Sequence, residues 1–159
     1  MGSTVEMTTK HSLGITSNTG KTIVVIPKDT PLPAQRSLTV TTARDDQRNI
    51  GLIITLGERP EAEDNFQFSR IRLDDIKIGP KGEAKVRLIF RGFVNGLWSV
   101  GVQYREDIPE RQLSIIPSAG LSQDDIELIK EKATKYIEDN KPAGEAEPAT
   151  MDVIPLPAI

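Results

Sequence analysis

The sequence contains no cysteine and a single histidine, His11, among 159 residues. Without cysteine there is no disulfide framework and no thiol chemistry. That composition is compatible with a reducing compartment, either the cytosol or an organelle from which a targeting peptide has been removed. One histidine without cysteine lacks the parts of a zinc site or of a Ser-His-Asp triad. We therefore expect no catalytic residue, no metal and no cofactor, and nothing in the composition requires an enzyme.

Long apolar runs and an excess of basic charge are also missing. No run approaches the roughly 20 apolar residues of a spanning helix, so membrane insertion is not expected. The net charge is −3, and acidic and basic residues are interspersed. A nucleic-acid binder usually shows a basic face, so nucleic acid is not an expected partner. Residues 1–10 lack the apolar core of a secretory signal.

Short apolar segments closed by Gly, Pro, Asn or Asp fill most of the chain. Their patterns predict strands at 12–17, 22–26, 37–43, 50–56, 66–73, 84–90, 97–104 and 112–116. The run TIVVI (22–26) is predicted to be buried on both faces. The pair Asn95-Gly96 is the strongest hairpin signal. Eight short strands at close spacing predict a mainly β fold, an eight-stranded antiparallel two-sheet β-sandwich.

The pattern changes at Ser122, which begins a predicted α-helix with a capping-box-like spacing and ends near Asn140. Residues 141–150 have a disorder-like composition. The last nine residues, MDVIPLPAI (151–159), are apolar and extended. We therefore expect a flexible N-terminus (1–11), the sandwich (12–121), one C-terminal helix (122–140) and a disordered tail with an apolar end (141–159).

Two motifs suggest chemistry and are better explained by structure. GITSNTGKT (14–22) has five residues between its glycines where a phosphate-binding loop has four, and a strand follows it instead of a helix. We interpret it as a hairpin turn. The acidic pairs 45–46, 74–75 and 124–125 lie in loops or at a helix start, where Asp is favoured for local hydrogen bonds.

Five segments together resemble the substrate-binding β-domain of the seventy-kilodalton heat-shock chaperones, the DnaK type. They are, in order, HSLGITSNTG, PKDTPLPAQRSLTVTTARDDQ, LGERPEAEDN, FVNGLW and SAGLSQDDI. The resemblance runs almost without gaps from about Ser12 to Ile126. It implies an eight-stranded sandwich followed by a helical lid, which agrees with the strand count.

The resemblance also implies a cleft for an extended peptide. Its aliphatic positions are Ile15, Val40, Ile50, Leu52 and Val86. The backbone at Ser17 and Thr41 is expected to hydrogen-bond the peptide, and Gln47 to reach it from a loop. Asn18 and Ala43 stand at the arch over the peptide. Because Asn18 replaces the Met of bacterial members, this arch is expected to hold apolar peptides less firmly.

Several features depart from the family pattern. We expect no nucleotide-binding domain, no interdomain linker before Ser12 and a lid reduced to one helix. Asp45 matches an acidic residue that latches the lid in the family, and Lys28 matches a residue that faces the nucleotide-binding domain. For neither residue do we expect that partner in this chain. Residues 91–94 (RGFV) replace an Asp-rich strand, which should weaken docking to a nucleotide-binding domain supplied in trans.

These observations predict a stand-alone, ATP-independent, chaperone-like module that binds extended apolar segments of unfolded client proteins. The alternative is a structural or adaptor subunit of a larger protein assembly, with the sandwich as a scaffold. An excised domain of a full-length chaperone is a third interpretation. The apolar segment 151–159 is itself a candidate occupant of the cleft, in cis or in a neighbouring copy, since a tether gives it a high effective concentration.

Overall fold

A computed structural model describes residues 8–94, 97–105, 107–116, 132, 135, 137–140, 142, 147–148 and 153–159. The described residues form ten strands and one short 3₁₀ turn, Ala62–Asp64, and six further residues, 132, 135 and 137–140, are helical. The strands are β1 Leu13–Thr16, β2 Thr22–Ile26, β3 Ala34–Thr42, β4 Ile50–Leu56, β5 Phe66–Leu73, β6 Lys85–Gly92, β7 Trp98–Gln103, β8 Arg111–Ile116, β9 Glu147–Pro148 and β10 Ile154–Leu156.

The strands make two sheets. The first has four strands in the order β2-β1-β4-β5, and the second has six, in the order β10-β3-β6-β7-β8 with β9 also paired to β3. Strands β1 to β8 pair antiparallel throughout, whereas β9 and β10 run parallel to β3. One apolar cluster joins the inner faces of both sheets. The predicted two-sheet β-sandwich is therefore confirmed.

Strand boundaries follow the sequence patterns closely, with one difference in burial. Val24 in the middle of TIVVI is 44 % exposed, so the prediction of a strand buried on both faces is wrong. The reason is position: β2 is an edge strand of the four-stranded sheet, and Val24 pairs with Gly14. Only Val25 and Ile26 of this run are fully buried.

The break in the alternation of residues 66–73 also has a structural origin. The register between β4 and β5 shifts at Ile54, which pairs with Ser69, while Thr55 pairs with Gln67. One extra residue therefore lies in β5, as in a β-bulge, and the inward and outward positions exchange there.

Arg91 at the end of β6 is buried in an ion pair. Its Nη1 and Nη2 donate to the two carboxylate oxygens of Glu110 at 2.5 and 2.8 Å, and its Nε donates to Gln35 Oε1 at 2.5 Å. The Glu110 carboxylate lies over Gly101, where a Cβ atom would come within 2.1 Å of Oε2. Arg91 thus stabilises the outer face of the larger sheet.

The structure differs from the sequence prediction at both ends of the described chain. Thr9, within the predicted flexible N-terminus, is buried and exchanges backbone hydrogen bonds with Asp29 and Thr30. The predicted disordered tail contains β9 and β10. The composition of 141–150 predicts disorder, but Glu147–Pro148 within it pairs with the β3 edge, and the apolar residues 154–156 continue along the same edge. Residues 132, 135 and 137–140 are helical, as predicted, while Ser122 and the Asn95-Gly96 turn lie outside the described residues.

Candidate peptide-binding cleft

Two strands offer free edges at one corner of the sandwich. Strand β3 pairs with β6 along one edge from Ala34 to Thr41. Strand β4 pairs with β5 over its whole length, but with β1 only at Ile54–Leu56. The second half of β3 and the first half of β4 are therefore available to a further extended segment.

The chain's own residues 153–159, here called the tail segment, lie in this corner. Ile154–Leu156 runs parallel to β3, with Ile154 opposite Val40 and Leu156 opposite Thr42. Further back, Glu147–Pro148 pairs with the same edge at Arg36 and Ser37. Beyond Leu156 the segment reaches β4, where the N–H of Gly51 donates to the carbonyl of Pro157 at 2.8 Å.

The tail segment contributes to the apolar core. Leu156 is 0 % exposed and Ile154 is 9 % exposed. Both belong to the same buried cluster as the five predicted aliphatic residues of the cleft, which are Ile15, Val40, Ile50, Leu52 and Val86. The structure thus brings these five side chains together, and it brings them together with a leucine of the tail.

The two prolines of the segment IPLP fit the hydrogen-bonding phase of this edge. In a strand, alternate residues direct their backbone groups to the same neighbouring strand. Pro155 and Pro157 have no N–H, so the N–H groups available to β3 are those of Ile154 and Leu156. The carbonyl of Pro157 bonds to β4 instead. The two prolines therefore remove no N–H group that would bond to β3.

Gln47 connects the tail segment to the loop after β3. Its Oε1 accepts from the N–H groups of Ala43 and Arg44 at 3.0 and 3.3 Å, and its Nε2 donates to the carbonyls of Asn49 and Leu156 at 2.7 and 2.8 Å. All four bonds would be lost if the amide were flipped, so this network fixes its orientation. The predicted reach of Gln47 toward an extended segment has a direct counterpart in its bond to Leu156.

The predicted contact residues on the other side of the cleft have different surroundings. Ser17 uses its N–H and carbonyl for the β1–β2 turn, bonding to Lys21 and Gly20, and its hydroxyl accepts from the N–H of Lys21 at 3.0 Å. The described hydrogen bonds of Ser17 therefore stay within its own turn. Asn18 is exposed at the tip of that turn, and Ala43 is half-buried. Thr41 pairs with Pro155, and its hydroxyl donates to the carbonyl of Ala84.

Sequence reasoning missed two residues that contact the tail segment. Asn49 Oδ1 accepts from the N–H of Ile159 at 3.0 Å. Gly51 lies under Ile159, so closely that a Cβ atom there would come within 2.4 Å of Ile159 Cγ2. A glycine inside a strand indicates close approach of another chain, and this signal at Gly51 was available in the sequence.

The acidic pairs have structural roles where they are described. Asp45 Oδ1 accepts from the N–H of Lys81 at 2.8 Å, and the N–H of Asp46 donates to the carbonyl of Gly79 at 2.8 Å, so the pair joins two loops.

His11 faces Glu58 at the surface, with 3.5 Å between Nδ1 and Oε1. Within the described ranges, no three His, Asp or Glu side chains are grouped to hold a metal ion. Nor does any helix described have the length and apolarity to cross a bilayer.

The fold and the corner site define a β-sandwich with an extended segment bound at a strand edge. The Hsp70 protein family model matches residues 5–152. The chain belongs to the Hsp70 protein family.

Three relatives illustrate the relationship, and each is named "Chaperone protein DnaK". The protein of Mycoplasmopsis pulmonis is 31 % identical over 146 residues, which cover 92 % of this chain and 24 % of the relative. That of Picrophilus torridus is 32 % identical over 137 residues, covering 86 % and 22 %. That of Thermus thermophilus is 31 % identical over 133 residues, covering 84 % and 22 %. The chain thus spans about a quarter of the length of these relatives.

Family membership confirms that the chain is related to the seventy-kilodalton heat-shock chaperones. The assignment to the substrate-binding part of that family, the roles of the individual cleft residues and the absence of catalysis stay predictions.

Proposed function

We propose that this chain is a chaperone-like module that binds extended apolar segments of non-native proteins in the cleft between β3 and β4. Binding would need neither ATP nor a catalytic step of the chain's own. One observation carries the proposal: a segment of the chain itself, IPL at 154–156, lies along the β3 edge with Leu156 wholly buried. A client segment of similar chemistry would take the same position.

The physical requirements of such binding are met by this corner. An extended peptide satisfies its backbone along a strand edge, and pockets for alternate side chains give selectivity. Filling one aliphatic pocket with leucine contributes about 1.5–3 kcal/mol. Ordering of the peptide offsets part of this gain. We therefore expect a dissociation constant of about 1 μM or higher. A dissociation constant of about 1 μM corresponds to a binding free energy of roughly −8 kcal/mol.

The tail segment would act as a tethered competitor for clients. It is covalently linked, so its effective concentration at the cleft is high even if its contacts are weak. A client then binds only when the tail segment has left, and the observed affinity falls by the fraction of molecules in which the cleft is free.

A structural or adaptor subunit is the second candidate, and the same occupied cleft favours it. In that case the tail segment is a permanent part of the sandwich core, and the surface of the domain, not the cleft, contacts the larger assembly. The two candidates differ in whether the tail segment exchanges with an added peptide.

Two variants of the 159-residue chain separate these candidates. Leu156→Asp introduces a charge into the buried cluster and should release the tail segment, whereas Val153→Asp makes the same change at a position 38 % exposed and serves as the matched control. A fluorescent Leu-centred heptapeptide is titrated into wild type and both variants by anisotropy, with and without Mg-ATP. Far-UV circular dichroism and thermal unfolding verify the fold.

We expect the Leu156→Asp variant to bind the peptide about tenfold more tightly than wild type or Val153→Asp, because the competitor is gone. Mg-ATP should leave the affinity unchanged. A folded Leu156→Asp variant that binds no peptide would overturn the client-binding proposal and favour the scaffold.

A further inference from the structure

Gly51 in β4 has no conformational need to be glycine. Among the glycines that the structure describes, those with a positive φ are Gly20, Gly57 and Gly82, so Gly51 has the ordinary backbone of a strand. Any residue with a side chain could adopt that backbone. The absence of a side chain at this position therefore requires another explanation.

The space next to Gly51 is taken by Ile159. A Cβ atom at Gly51 would lie 2.4 Å from Ile159 Cγ2, 3.0 Å from Cγ1 and 3.1 Å from Cβ, and these are its three nearest neighbours. Two hydrogen bonds hold the tail segment here: the N–H of Gly51 donates to Pro157, and the N–H of Ile159 donates to Asn49 Oδ1. Gly51 and Asn49 thus form a contact with the end of the bound segment.

This contact lies on the opposite side of β4 from the buried leucine. Successive side chains of a strand point to opposite faces, and Ile50 and Leu52 point into the core. The missing side chain of Gly51 would therefore point outward. Leu156 and Ile159 are three residues apart, an odd spacing, so an extended segment directs them to opposite sides as well. The segment contacts β4 from inside with one side chain and from outside with the other.

We infer that Gly51 and Asn49 form a second subsite of the cleft, which selects a branched aliphatic residue three positions after the buried leucine. The inference rests on the proposed peptide-binding function and specifies its substrate class. Preferred ligands carry Leu followed at the third position by Ile or Val. They also tolerate proline directly before and after the leucine, where Pro155 and Pro157 lie in the tail segment.

The test uses the Leu156→Asp variant of the 159-residue chain, in which the tail segment no longer competes, with and without Gly51→Ala. Two labelled peptides are titrated: the segment 153–159 (VIPLPAI) and the same peptide with Gly in place of its last residue. The Leu156→Asp variant that keeps Gly51 should bind the first peptide about tenfold more tightly than the second, as expected for one partly buried aliphatic side chain.

Gly51→Ala should weaken binding of the first peptide about tenfold, because the new methyl group occupies the space of the isoleucine. It should change the affinity for the second peptide less than about twofold. An equal effect of Gly51→Ala on both peptides, or equal binding of both peptides to the Gly51 protein, would overturn the subsite and leave the proposed function standing. Failure of both peptides to bind the folded Leu156→Asp variant would overturn the proposed function and the subsite with it. Circular dichroism of Gly51→Ala verifies that the sandwich is intact.

Discussion

The side-chain amide of Gln47 donates to the backbone carbonyl of Leu156 at 2.8 Å, across 109 positions of sequence. The same side chain accepts the N–H groups of Ala43 and Arg44. One buried glutamine therefore both shapes the loop after β3 and binds the tail segment. Because its bond goes to a backbone atom, the contact does not depend on the side chain of the bound residue.

Replacing Gln47 by Glu should release the tail segment and preserve most of the loop. A carboxylate still accepts from Ala43 and Arg44, but it cannot donate to the carbonyls of Asn49 and Leu156 and is repelled by them. We expect docking of the tail segment to weaken by about 1–3 kcal/mol. Hydrogen exchange of the Leu156 and Ile159 amides measures this directly. Gln103→Glu, on β7, is the matched control and should leave that exchange unchanged.

Arg91→Met should destabilise the whole sandwich. Methionine fills much of the same volume but leaves the Glu110 carboxylate, which lies over Gly101, without its bidentate partner. Breaking one side of a fully buried pair typically costs about 3–5 kcal/mol, and because the Glu110 side chain is 19 % exposed we expect a smaller loss that still lowers the urea midpoint. Arg105→Ala removes an exposed pair with Asp107 and should leave the midpoint unchanged. A similar midpoint for both variants would mean that the Arg91 pair is not buried in solution.

Much of the sandwich could be predicted because its signals are local. Strict alternation over residues 84–90 and the β-branched residues of 50–56 identified β6 and β4 within one or two residues. The exposure of Val24 could not be predicted, because the composition of TIVVI does not indicate whether its strand lies at the edge of a sheet.

The cleft was only partly predictable, because local sequence patterns do not show which strands lie next to each other. Its aliphatic residues followed from the family resemblance, but the pairing of β10 with β3 joins residues more than a hundred positions apart. No local pattern encodes which edge a distant apolar segment covers. Gly51 was the exception: a glycine within an apolar strand was a visible sign of a close neighbour, although the sequence could not name Ile159 as that neighbour.

Binding of an apolar peptide to the Leu156→Asp variant should depend little on salt. The ten predicted contact residues of the cleft are all uncharged, and the described bonds of the tail segment use backbone and amide groups. Screening weakens attraction between charges but not burial of apolar surface. We expect the dissociation constant to change less than about threefold between low and high salt, since a charge-steered complex would change far more. A steep salt dependence would indicate that Arg44, Asp45 or Arg48 in the neighbouring loop contacts the peptide.

Leu156→Ala should destabilise the protein less than the same substitution at Leu88, although both side chains are 0 % exposed. Leu88 is fixed in the middle of β6, so truncation leaves a cavity that costs about 2–5 kcal/mol. The tail segment, in contrast, can undock from the cleft, so that truncation of Leu156 need not leave a buried cavity. The loss at Leu156 is therefore limited by the free energy of docking, for which we expect about 1–2 kcal/mol. Urea unfolding of both variants and of Val153→Ala measures the difference. Equal losses at Leu88 and Leu156 would show that the tail segment unfolds only with the whole sandwich, which is the behaviour of a permanent scaffold and not of a cleft that exchanges its ligand.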